Sequence, residues 1–185
     1  MERDHAATLK PFRRVSWVGG RVALRHAAKS LGWTLDAVSS TPRGAPDLPA
    51  GLVGSIAHKT RLAVALVDES TTDTLGVDLE ELDRPRPKIA RMVLRAEERE
   101  AVDALPEEQR WQAILLRFSI KEAIFKTLDP HVQRYIGFKE ALVEPRDDGS
   151  AVISLNLVEG EGPFRMDAWW SILDDHVLAT VRASR

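Results

Sequence analysis

The chain has 185 residues, 44% of them hydrophobic, with a net charge of −2 and no cysteine. Such a length and composition make an ordinary soluble globular protein, one domain or two small packed halves. The missing thiols exclude disulfides, thiolate metal sites and a cysteine nucleophile, and suit a reducing cytoplasm. No apolar run approaches the roughly 20 residues of a membrane span. The start, Met1-Glu-Arg-Asp-His5, is charged with no apolar stretch behind it, so no signal peptide is expected.

Charge is unevenly placed. Up to Arg61 there are ten lysines and arginines against four acids, which makes the first third anion-attracting. No basic-aromatic stacking motif or zinc-finger spacing accompanies these bases, so a small polyphosphate is at least as good a candidate anion as nucleic acid. In chain order, Trp17 to Leu31 follows a partial 3.6-residue period and predicts a helix, with Gly32 as its C-terminal cap. Thr41 to Gly51 holds three prolines and two glycines and reads as a loop. Leu52 to His58, Leu62 to Val67 and Leu75 to Glu80 read as short strands of one small antiparallel sheet covered by that helix.

A linker rich in proline and charge, Glu81 to Lys88, separates this half from a helical stretch through Arg91 to Asp103. A second helix follows Pro106 and is expected to end at Asp129-Pro130. Its stripe Trp111, Leu115, Phe118 and Phe125 should pack on the core. Strands are then expected at Ile136 to Val143, Ala151 to Leu157, Met166 to Leu173 and His176 to Val181. Between them lie the turn signals Asp147-Asp148-Gly149, Gly160-Glu-Gly-Pro163 and Asp174-Asp175. The expected fold class is α+β, two similar halves over residues 1–84 and 85–185, each with helices packed on a small antiparallel sheet.

Three groups of residues carry candidate chemistry. In Gly76-Val-Asp-Leu-Glu80 the carboxylates of Asp78 and Glu80 alternate along a strand and point to one side. In Phe118-Ser-Ile-Lys-Glu-Ala-Ile-Phe-Lys126, Glu122 and Lys126 are four apart and share a helix face, with Lys121 at a neighbouring angle. Three oxygen ligands, Asp78, Glu80 and Glu122, suit Mg²⁺ or Mn²⁺ and not zinc. His58 closes Gly54-Ser-Ile-Ala-His58 and precedes Lys59-Thr-Arg61, where a histidine can donate to phosphate. Arg21 and Arg25, one helical turn apart, can grip a further phosphate as a fork. Each of these residue types also occurs as a solvated surface charge, so the separate signals do not decide between the two readings.

Their combination does. Gly-Ser-Ile-x-His, then Gly-Val-Asp-Leu-Glu, then Phe-Ser-x-Lys-Glu-Ala-x-x-Lys, in that order and spacing, resembles the 4'-phosphopantetheinyl transferases. The Gly-Gly-Arg-x-Ala-Leu-Arg run at 19 to 25 and Arg43-Gly-Ala-Pro46 resemble the enterobactin-type and surfactin-type bacterial members. The resemblance is strong from about Trp17 to Lys126 and general beyond.

It implies transfer of the 4'-phosphopantetheine arm of coenzyme A to a serine of an apo acyl or peptidyl carrier protein, with release of adenosine 3',5'-bisphosphate. It also implies Mg²⁺ at Asp78, Glu80 and Glu122, with Glu122 as base directly or through water, Lys126 at the diphosphate and leaving group, and His58 on the coenzyme phosphates. Arg21, Arg43 and Arg25 would hold the 3'-phosphate and adenine end, and Lys121 would be a further phosphate contact. Ala57 stands where many relatives have serine, which leaves Lys59 or Thr60 to compensate. The expected partners are coenzyme A and a carrier protein, with no nucleic acid and no membrane, and a monomer suffices because the two halves supply one metal site. A metal-dependent nuclease would use similar residues but would not require this ordered set. A coenzyme-binding protein without turnover would not need the intact acids and Lys126.

Overall fold

The computed structural model describes residues 2–185. Helix α1 (Glu2–Thr8) leads into α2 (Pro11–Ser30). The second helix begins two turns before the expected Trp17, because Pro11 in its first turn supplies a preset φ and lacks a donor only where none is needed. At its end Gly32 takes φ +85°, open to glycine without a Cβ penalty. A hairpin follows, β1 (Leu52–His58) and β2 (Ala63–Glu69), paired antiparallel from Leu52↔Glu69 to His58↔Ala63. Helix α2 lies on it so closely that a Cβ on Gly20 would come within 2.6 Å of Ile56 Cγ2.

Strand β3 (Thr74–Glu81) departs from expectation. It does not extend the hairpin but pairs with β7 (His176–Ser184), with Gly76↔Val181, Asp78↔Ala179 and Glu80↔Val177. The sheet it joins has five antiparallel strands in the order β3-β7-β6-β5-β4, where β4 is Ala141–Pro145, β5 Ser150–Leu155 and β6 Arg165–Leu173. Val77 and Leu79 of β3 still pack against Ala57 of β1, and the Val77 N–H donates to Ser55 Oγ at 3.1 Å. The hairpin thus covers the free edge of β3 with side chains instead of a backbone ladder, which protects an otherwise open edge. Both units place helix on antiparallel sheet, as expected of an α+β protein, and differ in size.

Between β3 and β4 come α3 (Ala90–Val93), α4 (Ala96–Asp103) and the long α5 (Glu107–Val132). The helical stretch expected as one piece from Arg91 breaks at Leu94 and Arg95, where Leu94 turns extended. Glu98, in the first turn of α4, reaches back to accept the Arg95 N–H at 2.7 Å and fixes the new start. Helix α5 buries Leu115, Ile120, Ile124 and Leu128 against Val143, Val177, Ala179 and Val181 of the sheet. Each such side chain contributes roughly 1.5–3 kcal/mol by leaving water. Pro130 does not end α5: it lies in the last turn, and the helix closes at Gln133 in the left-handed conformation, φ +53°. There a proline forfeits a single backbone bond. The strand expected from Ile136 starts only at Ala141, after a 3-10 turn over Phe138–Glu140 in which Glu140 accepts the Gly137 N–H.

Candidate active site

Contact between α5 and β3 sets the site. A Cβ on Gly76 would lie 2.0 Å from the carbonyl oxygen of Ala123 and 2.3 Å from Thr127 Oγ1, so only glycine lets the helix backbone touch the strand. With that register, Ser119, Glu122, Lys126 and Asp129, three to four residues apart, form one face of α5. Asp78 and Glu80 alternate on β3 beneath it and are almost fully buried.

Asp78 accepts the Ser119 hydroxyl at 3.0 Å on one oxygen and Lys126 Nζ at 2.9 Å on the other. Lys126 also donates to the Val77 carbonyl at 2.8 Å. Glu80 accepts Lys59 Nζ at 2.7 Å and Arg86 Nη2 at 3.4 Å. Among the described residues nothing hydrogen-bonds the Glu122 carboxylate, which faces a cleft of about 630 Å³. Burial pushes the pKa of Glu122 up, and the Asp78 charge adds to the rise while Lys126 opposes it. Burial also raises Glu80, against the hydrogen bond from Lys59 and with repulsion from Asp78. Both carboxylates are thus raised by burial and by the charge of Asp78, a setting that added positive charge would relieve.

The cleft brings Arg21, Arg43 and His58 to the same space as Glu122 and Lys126. Arg21 is buried, stacks 3.9 Å over the Trp17 ring and donates to Ser40 Oγ at 2.7 Å, leaving its Nε buried without a partner. His58 is held below its ordinary pKa by burial and by the charges of Lys126, Arg21 and Lys59 around it. It is the shared wall between this cleft and a second cavity of about 510 Å³ lined by Phe12, Arg13, Lys59, Thr60, Arg84 and Arg86.

Other predicted residues lie elsewhere. Arg25 does not line the cleft: it donates to the Leu35 and Asp36 carbonyls and pairs with Glu2, pinning α1 and the 35–36 segment to α2. Lys121 is buried, with Nζ 2.6 Å from Glu98 and 2.8 Å from the Val93 carbonyl, a knot that joins α5 to α3 and α4. With its side chain only 1% exposed and outside the cleft, Lys121 does not reach a phosphate there in this arrangement. It borders a small apolar slot beside Glu122, lined by Phe125, Tyr135, Ile136 and Phe138. Ala57 is buried against Val77 and Leu79, so the side chain at that position faces the core and not the cleft. Arg43 is in the cleft but forked onto Asp129.

Two residues of the site, and the buried partner of Lys121, escaped the sequence reading. Ser119 lies three before Glu122 and seven before Lys126, a spacing that placed it on their face, and a buried serine there needs a polar partner. Glu98 and Asp129 carried no local signal, because their partners are 23 and 86 residues away.

The donor set is made of hard oxygen ligands and fits Mg²⁺ in chemistry. Among the described residues no three acidic or histidine side chains are gathered into an arrangement that could hold a metal ion. Oxygens of Asp78 and Glu80 are instead taken by Lys126, Ser119, Lys59 and Arg86.

A helix laid on the edge strand of an antiparallel sheet is an α+β arrangement that this chain shares with solved holo-acyl-carrier-protein synthases. It superposes on the holo-[acyl-carrier-protein] synthase of Thermotoga maritima with a TM-score of 0.50 at 24% identity, over 60% of this chain and 62% of that one. The Bacillus anthracis synthase, solved in complex with CoA (3',5'-ADP), gives a TM-score of 0.50 at 20% identity, over 60% and 94%.

Sequence comparison narrows this to a family. The model of the 4'-phosphopantetheinyl transferase superfamily matches residues 74–181, and that of the 4'-phosphopantetheinyl transferase N-terminal domain matches residues 2–68. The 4'-phosphopantetheinyl transferase Npt of Nocardia iowensis is 32% identical over 149 residues, 75% of this chain and 63% of Npt. Svp of Streptomyces mobaraensis, a 4'-phosphopantetheinyl transferase, is 31% identical over 182 residues, 91% of this chain and 70% of Svp. The chain belongs to the 4'-phosphopantetheinyl transferase superfamily and spans about two thirds of the length of these curated relatives.

Proposed function

We propose that this protein transfers the 4'-phosphopantetheine arm of coenzyme A to a serine hydroxyl of an apo acyl or peptidyl carrier protein, releasing adenosine 3',5'-bisphosphate. The observation that carries the reading is that Glu122 and Lys126 of α5 line a cleft of about 630 Å³ directly over β3, where Lys126 is bonded to Asp78 and the charges of Asp78 and Glu80 reach Glu122.

Asp78, Glu80 and Glu122 would hold Mg²⁺, after Lys126 and Lys59 release their oxygens. Bound there, the ion supplies charge neutralisation for a diphosphate. Among the described residues Glu122 has no hydrogen-bond partner, and its pKa is raised, which suits it to take the serine proton. Lys126, freed from Asp78, donates to the oxygen that leaves with the nucleotide as the P–O bond breaks. His58 and Arg21 bind the coenzyme phosphates. Arg13, at a second cavity where Arg84 and Arg86 are paired with Glu81 and Glu80, offers positive charge to an acidic carrier. Among the described residues no helix is long and apolar enough to cross a membrane, and absent cysteines suit the cytoplasm. The protein acts as a monomer, since one chain supplies every group named here, on a nucleotide cofactor and a carrier, without nucleic acid.

The test is incubation with coenzyme A, Mg²⁺ and a panel of apo carriers from fatty-acid, polyketide, siderophore and nonribosomal-peptide synthesis. A modified carrier gains the mass of the arm, roughly 340 Da. A panel with no gain, or transfer undiminished by chelation of divalent ions, would sink the reading.

A further inference from the structure

One ion pair in the cleft is not used by the transfer chemistry. Arg43, in the loop that precedes β1, reaches across the opening to Asp129 on α5 with Nε 2.9 Å from each carboxylate oxygen and Nη2 on Oδ1. Both side chains line the cleft. Asp129 is seven residues beyond Glu122 on the same helix, which puts it about 10 Å along the axis. The pair therefore stands at the end of the cleft away from the strand acids, where a nucleotide with its diphosphate near Glu122 would extend its ribose.

A guanidinium fork accepts a carboxylate and a phosphate with the same geometry. The arginines lining the cleft are Arg21 and Arg43 and its aspartates are Asp47, which accepts the Ser39 hydroxyl, and Asp129, so a phosphate on the ribose meets one guanidinium already filled. The loop that carries Arg43 turns through Gly44 at φ +90° and Gly51 at φ +91°, and is tied to itself by Thr41 N–H on Ala45 O and by the Ser40↔Pro46 bridge. Its hold on α5 through this pair joins the hairpin unit to the five-stranded unit.

Resting on the functional reading above, we propose that Asp129 is a specificity-determining residue that competes with the 3'-phosphate of coenzyme A for Arg43, so that the cleft discriminates only weakly between coenzyme A and its 3'-dephospho form. A ligand that carries the monoester exchanges one bidentate anion for another and leaves Asp129 without its partner. A ligand that lacks it leaves the pair intact.

Calorimetric titration of coenzyme A and of 3'-dephospho-coenzyme A into the whole protein tests this without turnover. The wild type binds the two within about tenfold. Asp129→Asn and Asp129→Ala bind coenzyme A about tenfold tighter than the wild type does, and leave the dephospho form near its wild-type affinity. In an Arg43→Ala background the same substitutions have no effect, because the competitor then has nothing to compete for. A loosened loop would move both ligands together, so equal shifts for the two, or none, overturn the inference, as does a wild-type preference for coenzyme A well beyond tenfold. If neither ligand binds the wild type, the functional reading falls with it.

Discussion

The ammonium of Lys126 lies 2.9 Å from the carboxylate of Asp78 and, through the same nitrogen, 2.8 Å from the carbonyl of Val77. One side chain of α5 thereby satisfies the free edge of β3 and neutralises its first acid. Stability and chemistry meet at this nitrogen.

Lys126→Met should slow carrier modification about 100-fold or more at saturating coenzyme A, since it removes a donor aimed at the leaving oxygen. It should also cost about 1–3 kcal/mol of stability, because the Val77 carbonyl and Asp78 lose a charged partner. Single-turnover rates with urea unfolding check both. An unchanged rate in a destabilised variant would leave Lys126 a structural residue.

Glu122→Gln should lower transfer about 1000-fold while the protein becomes no less stable. The sign follows from its raised pKa: the contribution of this group to stability is present below the ordinary carboxylate value of 4.5 and is lost as pH rises through the higher folded value, so at pH 7 the charge works against folding. Matched activity and urea-denaturation measurements decide. A marked fall in stability would contradict this account of the carboxylate.

Gly76→Ala should destabilise by about 3 kcal/mol and impair transfer, since the added Cβ meets helix backbone that cannot swing aside. Gly160→Ala, in a turn at φ +87° with open space around it, is the control: it strains only its own backbone and should leave transfer intact. Thermal melts and transfer assays on the two variants provide the comparison.

His58 should titrate below its ordinary 6.5 in the free protein, because burial and the charges of Lys126, Arg21 and Lys59 disfavour the imidazolium. A group depressed in this way contributes stability that is present above pH 6.5 and lost as pH falls through the folded value. The acid-side loss of stability should therefore be smaller in His58→Asn than in the wild type. Proton NMR of the ring reads the pKa directly, and a midpoint at or above 6.5 would refute the electrostatic picture.

Glu98→Gln and Lys121→Met should each cost about 3–5 kcal/mol, since either leaves one buried charge without its partner, and the double variant should be more stable than either single one. Glu98 also accepts the Arg95 and Val143 N–H groups, so its loss reaches α4 and β4. Chemical denaturation of the three variants completes the cycle. Additive losses would mean that the pair is not coupled.

Much of the fold was legible because its signals are local. The bounds of β1 follow from an apolar run between Gly51 and Lys59-Thr60, and the helix through Phe118 to Lys126 from its apolar stripe. The turns at Gly149 and Asp174 have positive φ where Asp-Gly and Asp-Asp signals stood. Boundaries failed where a neighbour overrode propensity, as at Pro130, which a last helical turn tolerates, and at Leu94, where Glu98 restarts the helix.

The identity of the acids, the lysine at 126 and the ordered motifs were determined by the sequence alone, because residue type and spacing along one strand or helix face decide which groups share a side. Tertiary structure decided the rest. Pairing of β3 with β7, about 100 residues on, reflects long-range packing that no window of sequence contains. Lys121 and Lys126 flank Glu122 on one helix, yet the rotation of α5 against β3 sends one to Glu98 in the interior and the other to Asp78. In the same way Arg25 was drawn to carbonyls and Glu2, and Arg43 to Asp129. A charged side chain goes to whatever partner lies within its reach once the chain has folded, and that distance is not written in its neighbours.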